Sequence, residues 1–419
     1  MLFLSNLKNT FLLFILILSS CGKKVQSVKK NIETALTKDI VIPKPKIIVA
    51  ANRTNAYIPL LKDKKIAVVA NQTSVIFKKT AKEKPKYTHL VDSLISLHVN
   101  VKKVFSPEHG FRGKVDAGET VKDGLDAKTG LPIISLYGKN KKPSAKQLQD
   151  IDIVIFDIQD VGVRFYTYIS TLQLVMEACA QNNIPILVLD RPNPNAHYVD
   201  GPTMEAKHTS FLGMTKIPLV YGMTIGEYAT MINEEGWLTN SLKANLSVIP
   251  LKNYTHKTEY SLPIRPSPNL PNDMAIKLYP SLGLFEGTNV NAGRGTEFQF
   301  QRFGAPFLNA DYYDFKYTPE PNFGAKNPKQ KGKLCYGMDL TKINSRSLNG
   351  VLIHWVAQAY ENTIDKELFF NTNGFTKHAG TEKLQQQIEA GVSFEDISRS
   401  WDSDIKDFKK IRVKYLIYK

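Results

Sequence analysis

Cysteine is scarce in this chain, and acidic residues are outnumbered by basic ones. The three cysteines are Cys21, Cys179 and Cys335; Cys179 lies in an apolar helical pattern typical of a buried thiol, and no disulfide is predicted. Lysine and arginine total 55 against 39 aspartates and glutamates, which gives a formal net charge of +16. Such an excess favours anionic partners, namely acidic lipid headgroups, nucleic acid or an acidic polymer of the cell envelope.

Motifs that hold cofactors or activate nucleophiles are missing as well. No G-x-G-x-x-G follows a predicted strand and no G-x-x-x-x-G-K-[ST] occurs, so neither a dinucleotide-binding turn nor a P-loop is supported. The lack of H-E-x-x-H and of paired Cys-x-x-Cys argues against zinc. No G-x-S-x-G nucleophile elbow is present either. The sequence therefore predicts no metal and no cofactor.

One apolar run stands out at the N-terminus. Residues 11–18 are apolar but too few to span a bilayer comfortably, which is typical of a signal peptide over residues 1–20. The following LSSCG resembles a bacterial lipobox, so we expect cleavage before Cys21 and attachment of lipid to its thiol. A secretory signal with an incidental cysteine is the alternative.

The segment after Cys21 is rich in lysine and has little periodicity up to residue 46. We interpret residues 21–46 as a tether, which as a flexible coil would reach about 25–30 Å from the membrane. The expected product is an exported bacterial lipoprotein, anchored to a membrane of the cell envelope or periplasm. Because the expected location is outside the cytoplasm, nucleic acid is the least favoured of the anionic partners.

Apolar strands alternate with helical patterns as far as about residue 250. Unbroken apolar strands in this rhythm indicate a parallel sheet covered on both faces, hence a Rossmann-like α/β domain over residues 47–250. A Pro-rich run then begins, and a smaller α+β C-terminal domain is expected over residues 251–419, with a late helix at 381–390 and a final strand at 413–418. The N-terminal strands are predicted at 65–74, 99–105, 132–138, 152–160 and 185–190, and helices at 80–98, 166–182 and 223–237.

The stretch Val104–Gly113, VFSPEHGFRG, is the most informative part of the sequence. Pro107 has no N–H for a sheet ladder, so the preceding strand is expected to end there. Glu108 and His109 should then lie on a stiff loop beyond the carboxyl end of a strand, where open α/β sheets bind ligands. An ordinary polar turn is the alternative for this stretch taken alone.

Polar clusters follow four predicted strands at the same end. The carboxyl ends of parallel strands meet at one edge of the sheet, so these clusters predict one shared site. They are Asn71-Gln72-Thr73, Glu108-His109, Asp157 and Asp160 with Arg164, and Asp190-Arg191-Asn193. Further along, residues 279–306 form a glycine-rich and aromatic-rich segment without regular pattern, which is typical of a functional loop.

Seven stretches in one order resemble the NamZ-type exo-β-N-acetylmuramidases, a glycoside hydrolase family long known only as a domain of unknown function. The resemblance covers roughly residues 47–419 and implies hydrolysis of the non-reducing terminal N-acetylmuramic acid of peptidoglycan fragments. It also implies a Rossmann-like domain with a smaller domain that closes over the cleft. The stretches are SPEHGFRG, GLPIISLYG, FDIQDVGVRFYTYISTL, LDRPNP, YGMTIGE, SPNLP and LYPSLGLFEGTNVNAGRGTEFQFQRFGAP.

Glycoside hydrolysis usually requires two carboxyl groups that flank the scissile bond. Glu108 is the expected general acid, and it is also the glutamate of the family motif; pairing with Arg112 is its alternative role. Glu286, which would arrive from the other domain on closure, and Asp160 are equal candidates for the second carboxylate. The separation that distinguishes a retaining from an inverting mechanism is not encoded in the sequence.

Muramic acid carries a lactyl ether that ends in a carboxylate, a group that arginine recognises bidentately. Arg164 and Arg294 are the first candidates for this role and Arg112 is the third, each with a structural salt bridge as the alternative. Tyr166 and Tyr168 offer ring faces and hydroxyls to a sugar. The predicted substrate-binding set is His109, Arg112, Asp157, Arg164, Tyr168, Asn289 and Arg294.

Two other functions stay open at this stage. One is a non-catalytic envelope lipoprotein that binds muropeptides without cleaving them. The other is an esterase or amidase that would use Ser106 with His109.

Overall fold

A seven-stranded, mostly parallel sheet organises the first part of the chain. The computed structural model describes residues 46–78, 86–113, 123–345 and 348–419. The predicted signal peptide, Cys21 and the tether up to residue 45 lie outside these ranges. The described strands are β1 (Ile66–Ala70), β2 (Val75–Lys78), β3 (Lys86–His89), β4 (Val101–Ser106), β5 (Gly124–Leu125), β6 (Pro132–Ser135), β7 (Ile153–Asp157), β8 (Ile186–Leu189), β9 (Asp200–Thr203), β10 (Pro218–Val220), β11 (Leu246–Ile249), β12 (Arg302–Ala305), β13 (Phe315–Tyr317) and β14 (Cys335–Asp339).

The large sheet has the order β11-β8-β7-β1-β4-β6-β5. All neighbouring pairs are parallel except β5 and β6. Alternate residues of its central strands contribute to two different cores: Val68 and Ile155 to one, Val69 and Phe156 to the other. Both faces of the sheet are therefore covered, which explains why β1 and β8 are apolar at every position.

Helices connect and cover these strands. The helix that begins at Ile225 has a capping box at its N-terminus: Thr224 accepts from the backbone N–H of Glu227, and the Glu227 carboxylate accepts from that of Thr224. The described helices are α1 (Thr54–Tyr57), α2 (Leu90–Ser96), α3 (Ala145–Leu148), α4 (Tyr168–Gln181), α5 (Ile225–Glu234), α6 (Asp273–Leu282), α7 (His354–Glu361), α8 (Thr372–Ala379), α9 (Lys383–Glu389), α10 (Phe394–Arg399) and α11 (Asp402–Arg412).

Two predicted elements differ from the structure. Of the helix predicted at 80–98, residues 80–85 lie outside the described ranges; the described helix begins at Leu90, because Lys86–His89 instead pairs antiparallel with β2. The final strand predicted at 413–418 is a 3-10 turn followed by extended chain. Its backbone donors at Ile417 and Tyr418 bind the Glu227 carboxylate, at 2.7 and 3.2 Å, rather than a neighbouring strand.

The C-terminal part combines a three-stranded antiparallel sheet, of order β12-β14-β13, with helices α7 to α11. The predicted fold class, a Rossmann-like parallel sheet followed by an α+β region, is confirmed.

Residues Ile47–Lys419 form one compact unit, and a division at residue 250 stays a prediction. Of the helices in the described ranges, none combines the length and apolar character needed to span a bilayer.

Candidate active site

A pocket of about 510 Å³ lies between the loop after β4 and the segment that follows α6. Its volume is in the usual range for small-molecule sites. Residues from the first part of the chain that line it include Glu108, His109, Tyr137, Lys141, Tyr166, Thr167 and Phe211. Residues from the second part include Asn269, Tyr279, Glu286, Arg294, Phe300, Lys377 and His378.

Glu108 is positioned by a tight turn at the end of β4. The strand stops at Ser106, and the backbone N–H of Gly110 donates to the carbonyl of Pro107 at 3.1 Å. His109 has a φ of +69°, a conformation that side-chain-bearing residues seldom adopt and that is frequent at functional sites. This turn directs the partly buried Glu108 to the pocket.

Hydroxyl groups hold the Glu108 side chain. Thr167 Oγ1 donates to Glu108 Oε2 at 2.9 Å, and the Tyr137 hydroxyl is a second hydrogen-bond partner. Burial raises the pKa of Tyr137, and the negative charge of Glu108 adds to this effect. Tyr137 therefore remains a neutral donor to the carboxylate.

Glu286 and Arg294, which also line the pocket, form an ion pair with 2.8 Å between Glu286 Oε2 and Arg294 Nη1. Burial acts to raise the pKa of Glu286, but the positive charges of Arg294 and Lys329 outweigh it and the pKa is lowered. Lys329 Nζ also donates to the backbone carbonyl of Glu286 at 2.8 Å and to those of Phe285 and Thr288. The pocket thus contains an ionised carboxylate with a fixed backbone.

Aromatic rings form the remaining walls. The ring of Tyr279 packs edge-on against those of Tyr166 and Phe300, with centroids 6.0 and 4.8 Å apart. The Tyr166 hydroxyl donates to the carbonyl of Pro266 at 2.8 Å. Two carboxylates in different surroundings, between aromatic faces, suit acid–base chemistry on a ring-shaped polar substrate.

The predicted residues divide into those at the pocket and those beneath it. Glu108, His109, Glu286 and Arg294 line the pocket. Asp160 does not: it is only 3% exposed, and its Oδ2 accepts from the Tyr221 hydroxyl and from the backbone N–H of Gly162. Burial raises the pKa of Asp160 to about 7.

Tyr168 and Asp157 are also buried. Tyr168 packs behind Tyr166 at a ring distance of 4.8 Å, and its hydroxyl donates weakly to the Glu108 carbonyl at 3.4 Å. Asp157 is fully buried in a bidentate pair with Arg191, at 2.6 and 2.8 Å. Neither residue lines the pocket, and the Asp157 pair joins the ends of β7 and β8.

The other two predicted arginines and Asn289 have structural partners. Arg164 is fully buried and donates to four backbone carbonyls, those of residues 202, 217, 378 and 379. Arg112 forms ion pairs with Asp92 at 3.0 Å and Asp126 at 2.7 Å. Asn289 is exposed and donates to the carbonyl of Leu368 at 2.8 Å. None of the three lines the pocket.

Ser106, the nucleophile of the alternative hydrolase, is 0% exposed and is not part of the pocket lining. Within the described residues, no group of three or more His, Cys, Asp or Glu side chains is arranged to hold a metal ion. Cys179 and Cys335 are both buried free thiols.

Several pocket residues were not singled out from the sequence. Tyr137, Asn269, Tyr279 and Phe300 lie within the quoted motifs, so weighing their aromatic and amide side chains would have found them. Lys141, Phe211, Lys377 and His378 have no local signal, because only the folded chain brings them to the pocket.

Comparisons with known proteins agree with this architecture. Sequence models of the N-terminal and C-terminal domains of exo-beta-N-acetylmuramidase NamZ match residues 66–274 and 277–418. The peptidoglycan beta-N-acetylmuramidase NamZ of Bacillus subtilis (strain 168) is 38% identical over 381 residues, which covers 85% of this chain and 88% of that protein.

Two crystal structures of DUF1343 family proteins from Bacteroides fragilis NCTC 9343 share the fold. One superposes with a TM-score of 0.80 at 44% identity and covers 90% of this chain and 99% of its own. The other has a TM-score of 0.74 at 29% identity, with coverages of 90% and 100%. The resemblance inferred from the seven motifs is therefore confirmed, and the chain belongs to the NamZ family of exo-β-N-acetylmuramidases.

Proposed function

We propose that this protein is an exo-acting glycosidase that releases the non-reducing terminal N-acetylmuramic acid from peptidoglycan fragments. Its family and its relative of known activity support this assignment. The observation that carries it is the presence of Glu108 and the Glu286–Arg294 pair in the lining of one pocket.

Glu108 would act as the general acid that protonates the glycosidic oxygen as the bond breaks. Its hydrogen bonds to Thr167 and Tyr137 fix the direction of the carboxyl group, which proton transfer requires. Glu286, ionised beside Arg294, is favoured over Asp160 as the second carboxylate. Its negative charge would stabilise the positive charge that develops at the anomeric carbon.

The test is hydrolysis of a chromogenic β-N-acetylmuramide and of a disaccharide with N-acetylmuramic acid at its non-reducing end. We expect the wild-type protein to release N-acetylmuramic acid from both. Glu108→Gln should lower kcat by about 10²- to 10⁴-fold, the usual contribution of general acid catalysis. Proton NMR of the first sugar released would identify the retaining or inverting course.

Glu297→Gln is the matched control, because Glu297 is an exposed glutamate in the same glycine-rich segment and does not line the pocket. Its kcat should stay within about twofold of wild type, as for an ordinary surface substitution. Binding of the muramide without release would favour a muropeptide-binding protein instead. Loss of turnover in Ser106→Ala but not in Glu108→Gln would favour the esterase or amidase.

We also propose that the protein is an exported lipoprotein of the bacterial envelope, anchored through Cys21. The apolar run and the LSSCG sequence support this proposal. Metabolic labelling with a radioactive or clickable fatty acid should mark the wild-type protein and not Cys21→Ala. Labelling of both proteins, or of neither, would contradict the proposal.

A further inference from the structure

Few positive charges remain for a substrate anion once the structural ion pairs are taken into account. Among the described residues that line the pocket, the lysines and arginines are Lys141, Arg294 and Lys377. Arg294 is bound to Glu286 at 2.8 Å. Within the described residues, no carboxylate lies within salt-bridge distance of Lys141 or Lys377.

Lys141 has a side-chain contact that positions its ammonium at the pocket. Its Nζ lies 4.5 Å from the centroid of the Phe211 ring, a cation–π contact that fixes the ammonium while leaving N–H donors for a ligand. Lys141 is half-buried, whereas Lys377 on α8 is exposed. A buried, oriented ammonium loses less conformational entropy on binding than an exposed one.

The Lys141–Phe211 contact is close to the proposed acid. The Phe211 ring is 6.4 Å from that of Tyr137, and the Tyr137 hydroxyl is hydrogen-bonded to Glu108. A sugar whose glycosidic oxygen is at Glu108 would therefore carry its neighbouring substituents toward Phe211 and Lys141. Leu212, the residue after Phe211, adds an apolar side chain to the lining of the same pocket.

We propose that Lys141, with Phe211 and Leu212, recognises the lactyl group of the substrate. The lactyl ether consists of a methyl-bearing carbon and a carboxylate, and the three side chains match it as an apolar surface beside a cation. The ammonium would donate a charge-assisted hydrogen bond to the carboxylate. This inference rests on the proposed function, since it specifies how that substrate is distinguished from a neutral sugar.

The test uses two chromogenic β-N-acetylmuramides, one with a free lactyl carboxylate and one with the same group as its methylamide. The measured quantity is the ratio of kcat/KM for the acid to kcat/KM for the amide. Wild type should favour the acid. Lys141→Met should lower the ratio about tenfold to a hundredfold, the range expected for a lost hydrogen bond to a charged group. Lys141→Arg should retain most of the ratio.

Lys139→Met is the matched control, since Lys139 is an exposed lysine of the same loop that does not line the pocket, and its ratio should equal that of wild type. Lys141→Gln should repeat the result of Lys141→Met, and thermal unfolding of each variant establishes that it is folded. The assignment would be overturned if the ratio were unchanged in Lys141→Met and Lys141→Gln. It would also be overturned if Lys377→Met, rather than these two variants, lowered the ratio. A wild-type protein that hydrolyses neither muramide would refute the proposed function itself, whereas one that hydrolyses both equally would refute only this inference.

Discussion

The end of β4 and the ends of β7 and β8 carry the same kinds of residue but have different surroundings. Glu108, after β4, is partly exposed to the pocket and held by hydroxyl groups. Asp157, at the end of β7, is fully buried and paired with Arg191 from the end of β8. A later segment lies near Arg191: Tyr260, Leu262, Pro263 and Ile264 line a small cavity together with it, and Gln72 donates to the carbonyl of Pro266 at 3.0 Å. Strand-end acids thus share an edge of the sheet, but they differ in burial, and of these two only Glu108 lines the pocket.

The largest expected contrast is in the loss of stability when the acid at each strand end is replaced by its amide. Asp157→Asn should lower the free energy of unfolding by about 3–5 kcal/mol, because the Arg191 charge would remain buried without its partner. Glu108→Gln should change it by less than about 0.5 kcal/mol, because that side chain is partly exposed. Urea unfolding of both variants is the measurement. Equal losses in the two variants would remove the distinction.

The buried acids should also show in the pH dependence of stability. Burial raises the pKa of Asp160 in the folded protein to about 7. The folded chain therefore binds this proton more tightly than the unfolded chain, and the free energy of unfolding should fall as the pH rises from about 4 to about 7. In Asp160→Asn, the free energy of unfolding should fall between pH 5 and pH 7 by about 2 kcal/mol less than in the wild type.

Asp190 serves as an internal reference for that experiment. Burial also raises its pKa to about 7, and it is present in both proteins, so the difference between them reports Asp160 alone. Urea unfolding at several pH values provides the data. An identical slope in wild type and variant would mean that Asp160 is ionised throughout this range.

A smaller effect on kcat is expected from loss of Arg112, whose contacts hold the loop that carries Glu108. Arg112 binds two aspartates and lies over the Phe111 ring at 4.4 Å, so it restrains the turn that follows Glu108. Arg112→Met should lower kcat on the muramide about tenfold through misplacement of the acid, with less change in KM. Arg112→Lys should recover only part, since lysine lacks the fork geometry.

Lys128→Met is the control for this prediction. Lys128 also pairs with Asp92, at 2.6 Å, but its side chain is largely exposed. The cation over the Phe111 ring is Arg112, not Lys128. Its kcat should stay within about twofold of wild type, as expected for an exposed ion pair. A tenfold loss in this variant would attribute the effect to Asp92 rather than to Arg112.

The smallest effect concerns the pocket wall that joins the two parts of the chain. Tyr166→Phe removes one hydrogen bond to the carbonyl of Pro266, which still accepts from Gln72. We expect the free energy of unfolding to fall by about 0.5–1 kcal/mol, because the carbonyl keeps a partner. A loss of about 3 kcal/mol or more in urea unfolding would show that Gln72 does not compensate.

Sequence patterns were sufficient for the sheet and for the position of Glu108 beyond the end of β4. Unbroken apolar runs identify β1, β7 and β8, and Pro107 fixes where β4 ends. Burial depth was not predictable in this way: the side chains of Asp157, Asp160 and Arg164 are hydrogen-bonded to residues 34, 61 and up to 215 positions away along the chain. The helix start at Leu90 was missed because the pairing of β2 with β3 outweighs a local helical pattern.

The four carbonyls that receive the Arg164 guanidinium come from both matched domains of the family, two from residues 202 and 217 and two from residues 378 and 379. Burial lowers the pKa of this side chain to about 9, and no carboxylate of the described residues is within salt-bridge distance of it. The contact therefore depends on the position of the backbone carbonyls rather than on charge pairing. Recombining the N-terminal part of one relative with the C-terminal part of another would therefore succeed only where the incoming backbone presents two oxygens at the same place. For protein engineers, this arginine marks the joint at which chimeras should be checked first.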